Sequence, residues 1–262
     1  MSDLSELLNR HRSIRAYRAD PIDPPLIHRV IEEAIAGGSS SGNLNSVSVV
    51  LTRQAERRRR LYELHFEQDM ILQAPLVATF CADWFRTREW LRQRDAADNF
   101  DNLIGFLVAA FDAMIFAQNA ALGFEQAGLG ICYMGTTLHS CGEIADFLEL
   151  PPTCLPVTSM VVGFPAEDPA KRDRLPTHAF IHEERYQRPS PTDIDAIFAQ
   201  REVRGWQRYM AIPELRARIE RHGITSLAKF YTSDQKYFKP HFDQDSARYR
   251  EALVKRCFGT GL

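Results

Sequence analysis

The chain has 262 residues, 45% of them apolar and 25% charged, with 32 Lys and Arg against 34 Asp and Glu and a formal net charge of −2. Such a composition excludes a disulfide-stapled mini-protein and a disordered chain, and leaves room for one large domain or two modest ones. Near-neutrality also removes the usual electrostatic reason to expect nucleic acid or an anionic membrane as the main partner.

In chain order, 4–10 (LSELLNR) reads as a short helix, followed by a basic, turn-like stretch, HRSIRAYRADPI. Pro24 and Pro25 open a helix whose stripe is Leu26, Ile27, Val30, Ile31, Ala34 and Ile35, and Gly37-Gly38 close it. The small polar cluster SSSGNLN then precedes a β-branched strand, VSVVLT. AERRRRLYELHF reads as an exposed helix with Arg57 to Arg60 on a solvated face. PLVATFCAD is a buried strand, and a charged segment with two tryptophans leads from it into LIGFLVAAFDAMIFAQNAALGF, 103–124. That run invites a membrane reading, but Asp112, Gln118 and Asn119 would be costly in hydrocarbon. A helix buried in a core or a subunit interface is the better expectation. A glycine-punctuated loop, GLGICYMGTT, an amphipathic helix, SCGEIADFLEL, and another buried strand, PVTSMVVGFP, follow. Beyond about Pro165 the chain turns polar and aromatic, with helical pieces at DIDAIFAQREVRGWQRYM, IPELRARIERHG and DSARYREALVKRCF. Strands separated by helices rather than hairpins indicate a sheet covered by helices.

Cys81, Cys132, Cys141, Cys154 and Cys257 are odd in number and widely spread, which fits a reducing, cytoplasmic compartment and offers no metal-ligand spacing. Met1-Ser2-Asp3 does not open a secretory signal.

His11, Arg12, Ser13 and Arg15 place cationic groups and a hydroxyl within five residues. Guanidinium forks and backbone N–H groups there could cradle an anion, and the alternative is a solvated basic turn. A second basic cluster, Lys171-Arg172-Asp173-Arg174, follows the last strand, so two distant segments could clamp one phosphate. The loop with Ser39, Ser40 and Ser41 would let a ligand approach backbone closely, although such loops are mostly turns. No G-x-G-x-x-G, P-loop, H-E-x-x-H or G-x-S-x-G motif occurs, so nothing points to self-sufficient acid–base, nucleophilic or metal catalysis.

Taken in order, HRSIRAY with D-P-I after it, SSSGNLN before a strand, QAPLVATFCADW, GLGICYMG, LELPPTCLPVTSMVVGFPAEDP and the terminal RLP resemble the nitroreductase family of FMN-dependent reductases, over roughly residues 5–190. The likeness is strongest to its oxygen-insensitive NADPH nitroreductase and flavin reductase branch. It implies an α+β fold with a central mixed sheet flanked by helices, in an obligate homodimer with FMN at the subunit interface. It also implies one domain over 1–262, with 1–189 as core and 190–262 as a C-terminal helical extension. By resemblance, His11, Arg12, Ser13 and Arg15 contact the FMN phosphate, ribityl chain and pyrimidine end. Ser39, Ser40 and Ser41 come from the partner chain, and Gln68 meets the isoalloxazine edge. Tyr133, Met134, Gly135 and Thr136 match the loop against the flavin, and Arg172 and Arg174 match a phosphate-binding K-P-R-L-P that here reads R-D-R-L-P. Asp173 in place of Pro weakens the local positive field.

The expected activity is FMN-dependent two-electron hydride transfer from NAD(P)H, with ping-pong kinetics, to nitroaromatic, quinone or flavin acceptors. Its partners are NAD(P)H, a small-molecule electron acceptor and a second copy of the chain. Alternatives on the same fold are reductive dehalogenation or dehydrogenation, and a non-catalytic FMN-binding redox sensor or store.

Overall fold

Four of the apolar segments pair into one sheet in the computed structural model of the chain, which describes residues 3–259. Met1 and Ser2, on which the leader-free reading begins, lie outside them. By its internal contacts the chain divides into two compact units, Met1–Lys171 with Asp245–Leu262, and Arg172–Gln244.

In the first unit, α1 (Leu4–Arg10) precedes the basic loop, and α2 (Pro24–Ala36) starts at the two prolines as expected. Strand β1 (Val47–Thr52) leads to α3 (Ala55–Leu64), a short α4 (Met70–Gln73) and β2 (Leu76–Asp83). The segment with two tryptophans contains a further helix, α5 (Phe85–Arg92). It is followed by α6 (Leu103–Gln126), β3 (Gly130–Met134), α7 (Cys141–Phe147) and β4 (Cys154–Gly163). The α+β class is as expected, but the sheet is not mixed: its order is β1-β2-β4-β3 and every pair among the described residues is antiparallel. Strands β2 and β3 point the same way, and β4 is inserted between them, so no parallel pair forms.

Alternation along β2 explains the two sides of the core. Leu76, Ala78 and Phe80 cluster with Ile27 and Val30 of α2 and with Ala117, Ala121 and Phe124 of α6. Val77 and Cys81 face the other way, onto Leu61, Ile71, Ile144 and Phe258. Because β2 is buried on both faces, its sequence reads as a continuous apolar run.

Helix α6 is long and apolar enough to cross a bilayer by length and composition. It is nevertheless a core helix along one side, where Asp112 is 1% exposed and accepts hydrogen bonds from Ser40 Oγ (2.6 Å), Ser46 Oγ (2.7 Å) and the backbone N–H groups of Ser41 and Ser46. Its other side exposes Ile104, Leu107, Phe111, Met114 and Ile115, an apolar stripe at helical spacing.

The second unit contains α8 (Pro191–Met210), α9 (Pro213–Arg221) and α10 (Leu227–Thr232), and α11 (Lys239–Lys255) begins there. Ser190 and Asp193 form a reciprocal capping box at the start of α8. Gly205 lets α10 approach α8, since a Cβ at that position would sit 2.6 Å from Leu227. The tail aromatics gather around Lys236, whose ammonium lies 5.1–5.8 Å from the ring centres of Tyr209, Phe230, Tyr231 and Tyr237.

Candidate functional site

The basic loop is threaded along the sheet. The Ile14 N–H donates to the carbonyl of Ile131 in β3 (2.9 Å), and Arg18 and Phe164 pair beyond the end of β4. Two glycines make room for this course: a Cβ at Gly130 would lie 2.7 Å from Ile14, and one at Gly163 would lie 2.9 Å from Tyr17. The segment expected as the loop GLGICYMGTT is therefore half strand, Gly130–Met134, preceded by a turn at Gly128 and followed by a single 3₁₀ turn, Gly135–Leu138.

The loop is met by three carboxylates that the sequence reading did not single out, two at side chains and one at backbone N–H groups. His11 Nδ1 lies 2.6 Å from Glu125 Oε1, with Glu125 largely buried. Arg12 pairs with the exposed Asp168 at 2.6 Å and donates to the carbonyl of Pro169. Glu167 Oε1 accepts from the backbone N–H groups of Arg15 (2.5 Å) and Ala16 (3.0 Å). The Arg15 side chain is exposed, and its guanidinium makes one hydrogen bond among the described residues, 3.5 Å to the carbonyl of Ser13. Arg10, Arg12, Glu125, Gly130, Glu167 and Asp168 line an open hollow of about 380 Å³. Beneath the loop, Cys132 is buried; burial raises its thiol pKa, opposed by Arg15 and a hydrogen bond with Ser13, so it is an inert core thiol as expected.

At the far end of β3, Gln68 and Thr136 meet: Gln68 Nε2 donates to Thr136 Oγ1 (3.1 Å) and to the carbonyl of His65. His65 Nδ1 approaches the same Thr136 oxygen at 2.8 Å. Met134 is buried and Gly135 exposed with nothing within 4 Å of a built Cβ, leaving its backbone open to a ligand. Tyr133 is half-buried, its hydroxyl donating to Gln118 (3.3 Å), and burial raises its pKa, followed by Glu125.

Other expected site residues have partners of their own. Ser40 and Ser41 are held by Asp112 on α6, with the exposed Ser39 beside them. Arg172 and Arg174 belong to the second unit, where Asp173 is paired with Arg204 at 3.0 Å, so its charge is already met. Arg174, Arg201, Phe198 and Tyr231 line a hollow of about 430 Å³ in that unit.

One reading of a single residue changes. Arg58 is not on a solvated face: its guanidinium donates to the carbonyls of Ile71, Leu72 and Ala74, closing the end of α4, and burial lowers its pKa. Trp84 is core, 1% exposed, stacked on Phe100 and donating to the carbonyl of Gly105, whereas Trp90 is 52% exposed. His65 gave no signal in the sequence, sitting at the end of a charged helix. The three carboxylates had one, because Glu167 and Asp168 follow directly on the last strand and carry the charge that HRSIR lacks.

The sequence pattern of the nitroreductase family matches residues 8–164. The FMN reductase [NAD(P)H] of Bacillus subtilis is 32% identical over 246 residues, spanning 86% of this chain and 98% of that enzyme. The oxygen-insensitive NADPH nitroreductase of Salmonella typhimurium is 30% identical over 187 residues, 71% of this chain and 76% of its own length. Among solved structures, the NADPH:FMN oxidoreductase of Vibrio harveyi in complex with NAD+ superposes with a TM-score of 0.69 at 26% identity, covering 92% of this chain and 96% of that one.

Proposed function

The chain belongs to the nitroreductase family, and from that premise we propose that it is an FMN-dependent NAD(P)H oxidoreductase acting on nitroaromatic, quinone or flavin acceptors. The observation that carries this reading is the run of donors along β3, from the cations of the 11–15 loop at one end to Gln68, Thr136 and the open Gly135 backbone at the other.

The residues present fit FMN. A phosphate needs cations, and the Arg12 fork supplies one. The polar edge of a flavin ring needs neutral donors and acceptors at a close-approach backbone, which Gln68, Thr136 and Gly135 supply. Arg172 and Arg174 are assigned to the same phosphate, and Ser13 to the ribityl chain. His11 is assigned to hold the loop through Glu125 as well as to face the cofactor. Bound FMN supplies hydride acceptance and delivery at N5, which is why no acid–base or nucleophilic set is needed from the protein. The chain's own residues would hold the group: Arg12 the phosphate, Gln68 and Thr136 the polar ring edge, Tyr133 and Met134 the ring, and Arg15 would supply positive charge for the pyrimidine end. Nicotinamide and acceptor take the same open face in turn, giving ping-pong kinetics.

A second copy completes the site on this reading. The exposed stripe Ile104, Leu107, Phe111, Met114 and Ile115 of α6 is an apolar face without cover in one chain, and a homodimer buries it. Ser39, Ser40 and Ser41, fixed to that same helix by Asp112, then serve the partner's FMN. Residues 190–262 extend the same FMN-binding domain. The free cysteines fit a reducing, cytoplasmic setting.

The test is a visible spectrum of purified protein followed by anaerobic titration with NADH and with NADPH. A flavin band that either nicotinamide bleaches, and that a nitroarene or quinone restores, is the expected result. A flavin that neither bleaches sinks the reductase reading and favours a sensor or store, and protein that neither retains nor rebinds FMN sinks the cofactor assignment.

A further inference from the structure

His65 closes α3 with its side chain fully buried, and its Nε2 has no hydrogen-bond partner. Its Nδ1 is 2.8 Å from Thr136 Oγ1, the oxygen that also receives Gln68 Nε2 at 3.1 Å. Burial lowers the imidazole pKa to about 4, so the ring is neutral near pH 7 and carries one proton on one of its two nitrogens.

The hydrogen-bond inventory decides which. A proton on Nε2 would leave a buried N–H donor with no acceptor and would turn the Thr136 hydroxyl inward, donating to Nδ1. A proton on Nδ1 leaves only a bare lone pair at Nε2, and unpaired buried acceptors are tolerated better than unpaired buried N–H donors. Thr136 Oγ1 then accepts twice, from His65 and from Gln68, and both of its lone pairs are used. Its own proton is the one left to give, and Thr136 is only half-buried, so that proton has somewhere to go.

We propose that His65 is a positioning residue: its Nδ1–H, together with the Gln68 amide, locks the Thr136 hydroxyl as a hydrogen-bond donor aimed at acceptor atoms on the edge of the flavin ring. The inference rests on the FMN reading above and goes beyond it by naming a buried residue, outside cofactor contact, that sets the polarity of one that touches the ring. Three bonds to a single oxygen make the arrangement directional. Thr136 cannot turn to accept from the ring without breaking one of them.

Two measurements test it. Side-chain ¹⁵N shifts of the full-length protein, with His65 assigned by its loss in His65→Asn, report the tautomer directly. A proton on Nδ1 is expected, and one on Nε2 overturns the proposal whether or not FMN is bound. FMN dissociation and the flavin absorbance bands are then compared in His65→Leu, His65→Asn, Thr136→Val and the Leu/Val double variant. Thr136→Val loses one net hydrogen bond and weakens FMN by about three- to tenfold. His65→Leu weakens it by a smaller factor and shifts the bands in the same direction, while His65→Asn, whose amide can still donate, restores both. His65→Leu adds nothing in the Thr136→Val background. Wild-type binding and spectrum in His65→Leu beside a changed Thr136→Val, or full additivity in the double variant, overturns the positioning role. If the wild-type protein takes up no FMN, the cofactor reading fails instead, and the tautomer still judges the hydrogen-bond arrangement.

Discussion

Replacing Asp112 by alanine removes the acceptor at the centre of four hydrogen bonds, from Ser40 Oγ, Ser46 Oγ, Ser41 N and Ser46 N, at 2.6, 2.7, 3.2 and 3.3 Å. The donors do not suffer equally. Ser46 is fully buried, so its hydroxyl and N–H lose their partner with no water to replace it, at about 1–3 kcal/mol each. Ser40 is half-buried and Ser41 exposed, and water takes the place of the carboxylate there. Against this stands relief of the desolvation cost of a carboxylate that no Lys or Arg pairs with among the described residues. The balance is a loss of about 2–4 kcal/mol. The assay is urea unfolding followed by far-UV circular dichroism at fixed protein concentration, read as a lower midpoint with an unchanged slope. Asp112→Asn keeps one acceptor but turns an amide donor toward the N–H of Ser41 or Ser46, and it falls between wild type and alanine. Because Ser40 and Ser41 are tied to α6 through this carboxylate, FMN retention is expected to fall with stability in the alanine variant. An Asp112→Ala protein within about 0.5 kcal/mol of wild type would falsify the account, since surface-like substitutions stay inside that range.

Phe111→Glu places a charge in the middle of the exposed α6 stripe, and size-exclusion chromatography is expected to show a monomer that has lost FMN; an unchanged elution volume and full flavin content would place the second copy elsewhere. Arg15→Ala and Arg174→Ala each remove a charge-assisted contact and loosen FMN by about 10- to 100-fold in fluorescence titration; unaltered affinity would mean that the pyrimidine end, for Arg15, or the phosphate, for Arg174, lies elsewhere. Lys236→Met keeps the length but removes the charge at the centre of four rings, costing about 1–2 kcal/mol and appearing as faster amide exchange over residues 209–237; protection as in wild type would show that the rings pack without the ammonium. His65 gives a pH signature: its folded pKa, about 4, lies below the ordinary 6.5, so its contribution is complete above pH 6.5 and is lost as pH falls toward 4. The stability difference between wild type and His65→Asn is therefore expected to shrink by about 3 kcal/mol across that window, and a constant difference would show that the imidazole is not buried neutral.

Most of the secondary structure was legible because burial leaves a periodic trace. Strand β2 reads as an unbroken apolar run since both its faces are covered, and α2 reads as a stripe between prolines and glycines. The elements that escaped leave no such trace. α4 is four residues long and ends against a guanidinium supplied by Arg58, while α5 is half charged and its one buried residue is the polar Thr87. Strand direction was also hidden, because β4 enters between β2 and β3 only after α7, and local sequence does not record where a later strand inserts. At the site, Gln68 and Thr136 were found through a family pattern, and the contact between them was not readable from a separation of 68 residues. His65 was invisible for a physical reason: its partner, Thr136 Oγ1, is 71 residues away in the chain, and the helix that His65 closes reads as solvent-exposed.

The carboxylates around the basic loop show how a near-neutral chain can still present a positive site. Glu125 and Glu167 act on the loop rather than on its guanidiniums: one holds the His11 ring, and the other accepts two backbone N–H groups at Arg15 and Ala16. Together with the Ile14 to Ile131 bond, they fix the course of the chain and spend little of the charge on Arg15. The Arg12 pair is different, because Asp168 is 85% exposed on its side chain and such a contact is worth at most about 1 kcal/mol. A phosphate dianion, offering more charge and more acceptor oxygens to the same fork, displaces that carboxylate at small cost. Acids that bind backbone can therefore stiffen an anion cradle without neutralising it, and the exposed one fills the Arg12 fork until a stronger anion arrives.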